Sequence, residues 1–509
     1  MNKTKFDFSG NYISGKFTHP EDRSGDWKVL SPADLKDEMA TIAYSYSDVD
    51  KAVECARTAY KKWRKVPLGD RITTLRKYQD ALKRKTALLA EAISREMGKP
   101  LWEAESEVKT MIGKVEVTAN EGMKLIEEKR IESILPGATG VWWHQSLGVM
   151  AVIGPFNFPG HLANGHIVPA LMTGNTVIFK PSEKTPLTGQ IMAECFHEAG
   201  IPSGVFNLVQ GEKEVGRRLC VHEGVDGVLF TGSYEVGNRI QQDTLTQHWK
   251  ILALEMGGKN SSIVCKDADL DVAIRETLVS AYLTTGQRCS CTSRILVHQT
   301  LMDEFVSKFH EKAKSFAIGH PLTNPFMGPL IDKSSVDRYI KFQGMAEREG
   351  AEIIMSGKRL QLEWDGYYVT PSICLLSDGS VETAKKSVYQ QTEIFAPNVA
   401  IIPFTEIEQA IELANVTQYG LVCSVFSKSH DVFQLFLDDL RMGLINWNRS
   451  TCGASGRLPF GGIKKSGNFY PTGITASYYC TYPVASLEIP NPSATEGNYP
   501  GLDSRDTKA

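Results

Sequence analysis

Apolar residues recur at helical spacing early in the chain. In DVDKAVECARTAYKKWRKV, Val49, Ala52, Val53, Ala56 and Trp63 fall on one face. A longer helix is predicted from Asp70 to Met97, with Leu75, Tyr78, Leu82, Leu89 and Ile93 as its buried stripe; Gly98 and Pro100 stop it. Residues 1–45, punctuated by glycine and proline, read as irregular. Residues 131–150 alternate apolar and polar around a glycine-bearing turn, which predicts an exposed hairpin. From 149 the pattern changes. VMAVIG, TVIFK (176–180), VFNLV (205–209) and GVLF (227–230) are short β-branched runs separated by helix-compatible stretches at 187–199 and 212–222. That alternation predicts a parallel, doubly wound sheet. A second α/β stretch runs from SSIVC (261–265) to about 465. Residues 474–489 alternate again and could pair with the hairpin. The polar run from Pro490 reads as a loosely ordered tail.

Composition narrows the classes. The 509 residues hold 56 Lys plus Arg against 59 Asp plus Glu, a net charge of −3. Nucleic-acid and membrane-surface binders need a basic excess that this balance lacks. No apolar run approaches the length of a membrane span, and the N-terminus lacks a leader's apolar core. The ten scattered cysteines form no C-x-x-C, so a reducing, cytoplasmic setting is expected. Cys289 and Cys291 form a C-x-C without a second Cys/His pair at ligand spacing, so no metal site is expected.

Five segments carry candidate chemistry. GVLFTGSYEVG places Gly232 and Ser233 between a strand and a helix, where backbone N–H groups can cradle phosphate or simply turn the chain. TVIFKPSEK places Lys180, Ser182 and Glu183 beyond a strand's carboxyl end, the usual ligand edge of such sheets. A carboxylate there can accept from a ribose and repel a 2′-phosphate; a solvated loop is the plainer reading. LEMGGKN sets Glu255 at the end of an apolar run, as a buried general base or a capping residue. GQRCSCTSR offers Cys289 as a nucleophile, with Arg288 and Arg294 as charges that could favour its thiolate; most lone cysteines are structural. GPFNFPG holds Asn157 in a loop after a strand, able to donate to an oxyanion or merely to cap a turn.

Taken in order, GPFNFP, GNTVIFKPSE, FTGSYEVG, LEMGGKN, GQRC, TEIFAP and PFGG resemble the aldehyde dehydrogenase superfamily over residues 45–489. The resemblance implies an α/β fold of two doubly wound parallel-sheet domains plus a small β oligomerisation arm. Residues 1–130 and 147–256 would form the NAD-binding domain, 257–465 the catalytic domain, 131–146 and 466–489 the arm, and 490–509 a tail. It implies Cys289 as nucleophile, Glu255 as general base and Asn157 as oxyanion donor. It implies NAD as cofactor, held by Lys180, Ser182, Glu183, Gly232, Ser233, Tyr234, Glu235, Val236, Gly237, Glu393 and Phe395. A homodimer or homotetramer is implied, with a small aldehyde as the other partner.

Three further phrases, GPFNFPGHLANGHIVPAL, GLINWNRSTCGASGRLPFGGIKKSGN and YYCTYPVASLE, are similar to the members that oxidise a succinylated amino-acid semialdehyde in bacterial arginine breakdown. Arg288, Arg449 and His161 are then candidates for its carboxylates; His161, like His166, also reads as a packing residue. Other semialdehydes or aliphatic aldehydes, a CoA-acylating chemistry and a non-catalytic binder of this fold are the alternatives. Two departures stand out: Ala396 where glycine is usual, and Phe469-Tyr470 where His-Arg is usual.

Overall fold

A computed structural model describes residues 3–491. The tail expected from 490 lies almost wholly outside them. Two seven-stranded sheets carry the architecture. In the first, Ile251–Glu255, Gly227–Thr231, Val149–Ile153, Thr176–Lys180 and Phe206–Leu208 run parallel in that lateral order. Asn11–Ile13 and Lys16–Thr18 extend it antiparallel. The chain builds outward from Val149–Ile153 to one side, then returns to the other side with Gly227–Thr231. The order therefore reverses beside Val149–Ile153, and crevices at such reversals take ligands.

The interiors of the central strands Val149–Ile153, Thr176–Lys180 and Gly227–Thr231 are apolar on successive residues because both sheet faces are covered by helices. Met150, Val152, Val177 and Phe179 pack into one core, whereas Val149, Ala151 and Ile178 pack into another on the opposite face. The two-residue period of a strand produces that division. The second sheet repeats the design. Its parallel strands are Ser372–Leu375, Asn398–Phe404, Thr292–His298, Asn260–Val264, Val422–Phe426 and Leu444–Trp447. Ile263, Leu296 and Ile402 face one core; Val264, Ile295, Val297 and Ile401 face the other.

The predicted hairpin is present as Lys129–Leu135 and Ala138–Ser146. Thr481–Glu488 pairs beside it along its whole length, from Thr481 opposite Ser146 to Glu488 opposite Thr139. Ile131, Ile134, Leu135 and Leu487 on this small sheet are exposed.

Two expectations need correction. The single helix over 70–97 is two, Leu68–Arg84 and Thr86–Met97. They break at Lys85, whose φ of −95° and ψ of 14° leave the helical region, a change of direction that periodicity does not register. The N-terminal 45 residues are not irregular, since Gly25–Ser31 and Asp34–Tyr44 form a bulged hairpin in addition to the two edge strands. Bulges shift the side-chain alternation and so hide the strand period. Among the described residues no helix is long and apolar enough to cross a membrane.

Candidate active site

A cavity of about 1670 Å³ opens between the carboxyl ends of the first sheet and the loops that enter the second. It exceeds the roughly 300–1,000 Å³ typical of small-ligand sites, enough for an extended cofactor and a substrate together. Asn157, Glu255 and Cys289 all line it.

Cys289 sits on a loop entering the strand Thr292–His298. Asn260 clamps that loop: its Nδ2 donates to the Cys289 carbonyl at 2.7 Å and to the Cys291 carbonyl at 2.9 Å. Gly258 passes so close that a Cβ would lie 2.5 Å from the Cys289 carbonyl oxygen. Upstream, Thr284 and Thr285 hold left-handed φ of 55° and 58°. Each such non-glycine residue costs on the order of 1–3 kcal/mol and persists only where its surroundings fix it. Thr285 Oγ1 donates to the Gly328 carbonyl, and both the Thr284 N–H and hydroxyl donate to Glu103.

The thiol is pushed far above its ordinary range, first by burial and then by the carboxylates of Glu393 and Glu255. The two arginines expected to favour a thiolate do not do so. Arg288 Nη2 pairs with Glu103 Oε2 at 2.6 Å, and its Nε donates to Thr284 Oγ1. Arg294 is fully buried beneath the second sheet, donating to Ser261, the Leu413 carbonyl and Gln390. A strand's alternation turns Arg294 away from the cavity, and α-helical Glu103, distant in sequence, claims Arg288.

Asn157 is 5 % exposed, and its Nδ2 gives one hydrogen to the Gln287 carbonyl at 3.0 Å. An amide nitrogen has two hydrogens, so one remains. Gln287 is itself held through Ile331 N–H to its Oε1. The helix that follows, His161–Met172, is pinned by Glu107, whose Oε1 accepts from the Gly160 and His161 N–H groups. Glu107 Oε2 pairs with fully buried Lys99 at 2.7 Å.

Glu255 is 4 % exposed. Its Oε1 accepts from the Thr472 N–H at 3.2 Å, and its Oε2 is buried without a partner. Burial raises its carboxyl well above the usual range. Its carbonyl accepts from the Gly232 N–H, which ties the strand end to the next loop.

The cofactor candidates divide between two walls. Lys180 is buried and lies 3.6 Å from Glu183, whose carboxylate is 40 % exposed. Ser182 Oγ accepts from the Lys184 N–H. Ser233 caps the helix Tyr234–Asp243, accepting from Val236 N–H. Gly232, Ser233, Glu235 and Val236 face the cavity. Tyr234 and Gly237 do not line it; Gly237 packs against Met256. Across the cavity, Glu393 accepts from the Gly258 N–H at 2.9 Å and is raised by burial to about 7. Phe395 holds a left-handed φ of 58° and meets Phe156 edge-on.

Among the substrate candidates, Arg288, Arg449 and His161 line the cavity. Arg288 spends its charge on Glu103. Arg449 is exposed, with Nη2 donating to the Gly453 carbonyl. His161 is kept neutral by burial, at about 4, with Nδ1 unpartnered. His166 is buried between Tyr479 and Thr231. Phe469 and Tyr470 are exposed and outside the cavity wall, so that departure does not touch it. Ala396 is buried where Gly286, itself at a φ of 73°, meets its carbonyl. The supporting roles of Asn260, Gln287, Glu103 and Glu107 escaped sequence reading, although Asn260 closes the LEMGGKN phrase and Gln287 lies within GQRC.

Residues 17–482 match the model of the aldehyde dehydrogenase family. The chain is 38 % identical to N-succinylglutamate 5-semialdehyde dehydrogenase of Chromobacterium violaceum, over 97 % of this chain and 99 % of that one. It is 38 % identical to the enzyme of the same name from Novosphingobium aromaticivorans, over 88 % and 94 %. Betaine aldehyde dehydrogenase from Staphylococcus aureus, solved in complex with NAD+, superposes with a TM-score of 0.90 at 28 % identity, covering 96 % of each chain.

Proposed function

The chain belongs to the aldehyde dehydrogenase family, and on that ground we propose that it oxidises N-succinylglutamate 5-semialdehyde to N-succinylglutamate with NAD, through a thioester on Cys289. The observation that carries this reading is the convergence of Asn157, Glu255 and Cys289 on one large cavity. The two identically named relatives, similar over nearly their full lengths, support the substrate.

The cavity suits a dinucleotide. The half-exposed Glu183 carboxylate, with Lys180 and Ser182, fits an adenosine ribose. Gly232 brings backbone without a side chain to a helix start, where the N–H groups of Ser233 to Glu235 fit phosphate. Glu393 and Phe395 stand at the other end, while Tyr234 and Gly237 shape the turn from behind. When bound, the oxidised dinucleotide supplies the hydride acceptor and a formal positive charge on its ring.

The Cys289 thiol gives up its proton to solvent water, and the thiolate sulfur adds to the aldehyde carbon, making the tetrahedral alkoxide from which hydride can leave. The spare hydrogen of Asn157 Nδ2 and the Cys289 backbone N–H hold that oxyanion. Loss of hydride leaves a thioester. Glu255 then takes a proton from the water that attacks it, freeing acid and thiol. Hydrolysis, rather than acyl transfer to CoA, follows from the presence of this carboxyl.

Ten free cysteines, eight of them buried, support a reducing cytoplasmic setting. The exposed apolar residues of the three-stranded sheet support its use as the contact of a homodimer or homotetramer.

The test is the purified chain with a panel of aldehydes and both nicotinamide cofactors. The highest kcat/KM is expected for N-succinylglutamate 5-semialdehyde with NAD. A higher value for free glutamate semialdehyde or an aliphatic aldehyde sinks the substrate assignment.

A further inference from the structure

The cavity wall holds a cation for which the chemistry above has no use. Lys114, in the helix Leu101–Val117, is 6 % exposed and lines the cavity. Its Nζ donates to the Gly473 carbonyl at 2.7 Å. Among the described residues it has no carboxylate within ion-pair distance, whereas its neighbours on the wall are paired: Arg288 with Glu103 and Lys180 with Glu183. A buried charge without a counter-charge carries a large desolvation cost. A neutral donor would hold one carbonyl without that cost, so the clamp on Gly473 alone does not account for an ammonium here.

Space adjoins this charge. Gly165, on the facing helix His161–Met172, also lines the cavity. A Cβ built there would meet only Thr472 Oγ1, at 3.9 Å, so glycine leaves a recess open. Thr472 and Gly473 form another side of the same region.

We propose that Lys114 is a specificity-determining residue, whose ammonium binds a carboxylate of the aldehyde substrate in the recess left by Gly165. An anion there neutralises a buried cation of the wall that, among the described residues, has no ion pair. Arg288, already neutralised, is the weaker candidate for that task. The inference rests on the proposed oxidation of a carboxylate-bearing aldehyde and names the group that reads the carboxylate.

The test compares glutaric semialdehyde with pentanal, which share a chain length and differ in the carboxylate, alongside N-succinylglutamate 5-semialdehyde. Wild type is expected to prefer the carboxylated aldehydes. Lys114→Met should lower the ratio of kcat/KM for glutaric semialdehyde over pentanal by about 10- to 100-fold, chiefly through KM, the range for losing a hydrogen bond to a charged group. Gly165→Val should lower the same ratio by filling the recess with Lys114 intact. Folding is checked by near-ultraviolet circular dichroism, and the Gly165 variant decides if the Lys114 variant does not fold. Equal losses for both aldehydes, an unchanged ratio, or a wild type indifferent to the carboxylate would overturn the proposal. A wild type that favours glutaric over N-succinylglutamate semialdehyde, with the ratio still lost in Lys114→Met, refutes the substrate and spares Lys114.

Discussion

Asn260 binds Cys289 from behind: one amide nitrogen spans the carbonyl oxygens of Cys289 and Cys291, at 2.7 and 2.9 Å. Asn260 is itself 1 % exposed. Asn260→Leu would strand two buried carbonyls, at about 1–3 kcal/mol each, and free the nucleophile's loop. The expected result is a fall in kcat of roughly 10- to 100-fold, since about 1 Å of misplacement can cost that much. Cofactor affinity, read by fluorescence titration, should hold. Normal kcat in a folded variant would show that the clamp does not position Cys289.

The three proposed catalytic groups separate kinetically. Cys289→Ala should abolish oxidation, and Cys291→Ala should retain most of it. Asn157→Ala should lose on the order of 100- to 1000-fold in kcat, the usual cost of one oxyanion donor. Glu255→Gln should release one equivalent of NADH in a burst and then stall. Steady turnover by that variant would remove Glu255 from deacylation.

Burial raises both the Cys289 thiol and the Glu255 carboxyl, so each is neutral at rest and gains its reactive form as pH rises. Alkylation of the cofactor-free protein by iodoacetamide should therefore climb with pH through the ordinary thiol range without a plateau. Steady-state kcat should rise with pH along a limb displaced above the normal carboxylate range. A thiol titrating at or below its ordinary value would contradict the electrostatics of this site.

Glu183 bears on cofactor choice. Its exposed carboxylate would repel a 2′-phosphate, with buried Lys180 beside it. Glu183→Gln should raise kcat/KM with NADP by about tenfold, within reach of about 1.4 kcal/mol, while lowering that with NAD. Unchanged discrimination between the cofactors would move selectivity elsewhere.

Much of the site was legible because its chemistry is local. Asn157, Glu255, Cys289 and the Gly232–Ser233 turn each stand at a strand–loop junction whose apolar run and glycines mark it in one dimension. The supporting groups were not legible, because their meaning is a contact made across the chain. Glu103 meets Arg288, and Glu107 meets the start of the helix at His161, from an ordinary-looking helix. Lys114 on that same helix carries no sequence signal of its own. Arg294 looked like a neighbour of the nucleophile until strand alternation carried it into the core. The N-terminal strands were missed for a related reason: bulges and edge positions erase the alternation by which strands are recognised.

The paired left-handed threonines ahead of Cys289 set a limit on improving this molecule. Glycine at Thr285 would relieve the left-handed backbone, at the loss of the hydroxyl contact to Gly328 and of a side chain that is 1 % exposed. The same exchange would let the segment wander on the timescale of turnover. The fixed turn ahead of the nucleophile is thus held by side chains rather than by a permissive backbone, and a glycine exchange there would cost catalytic speed.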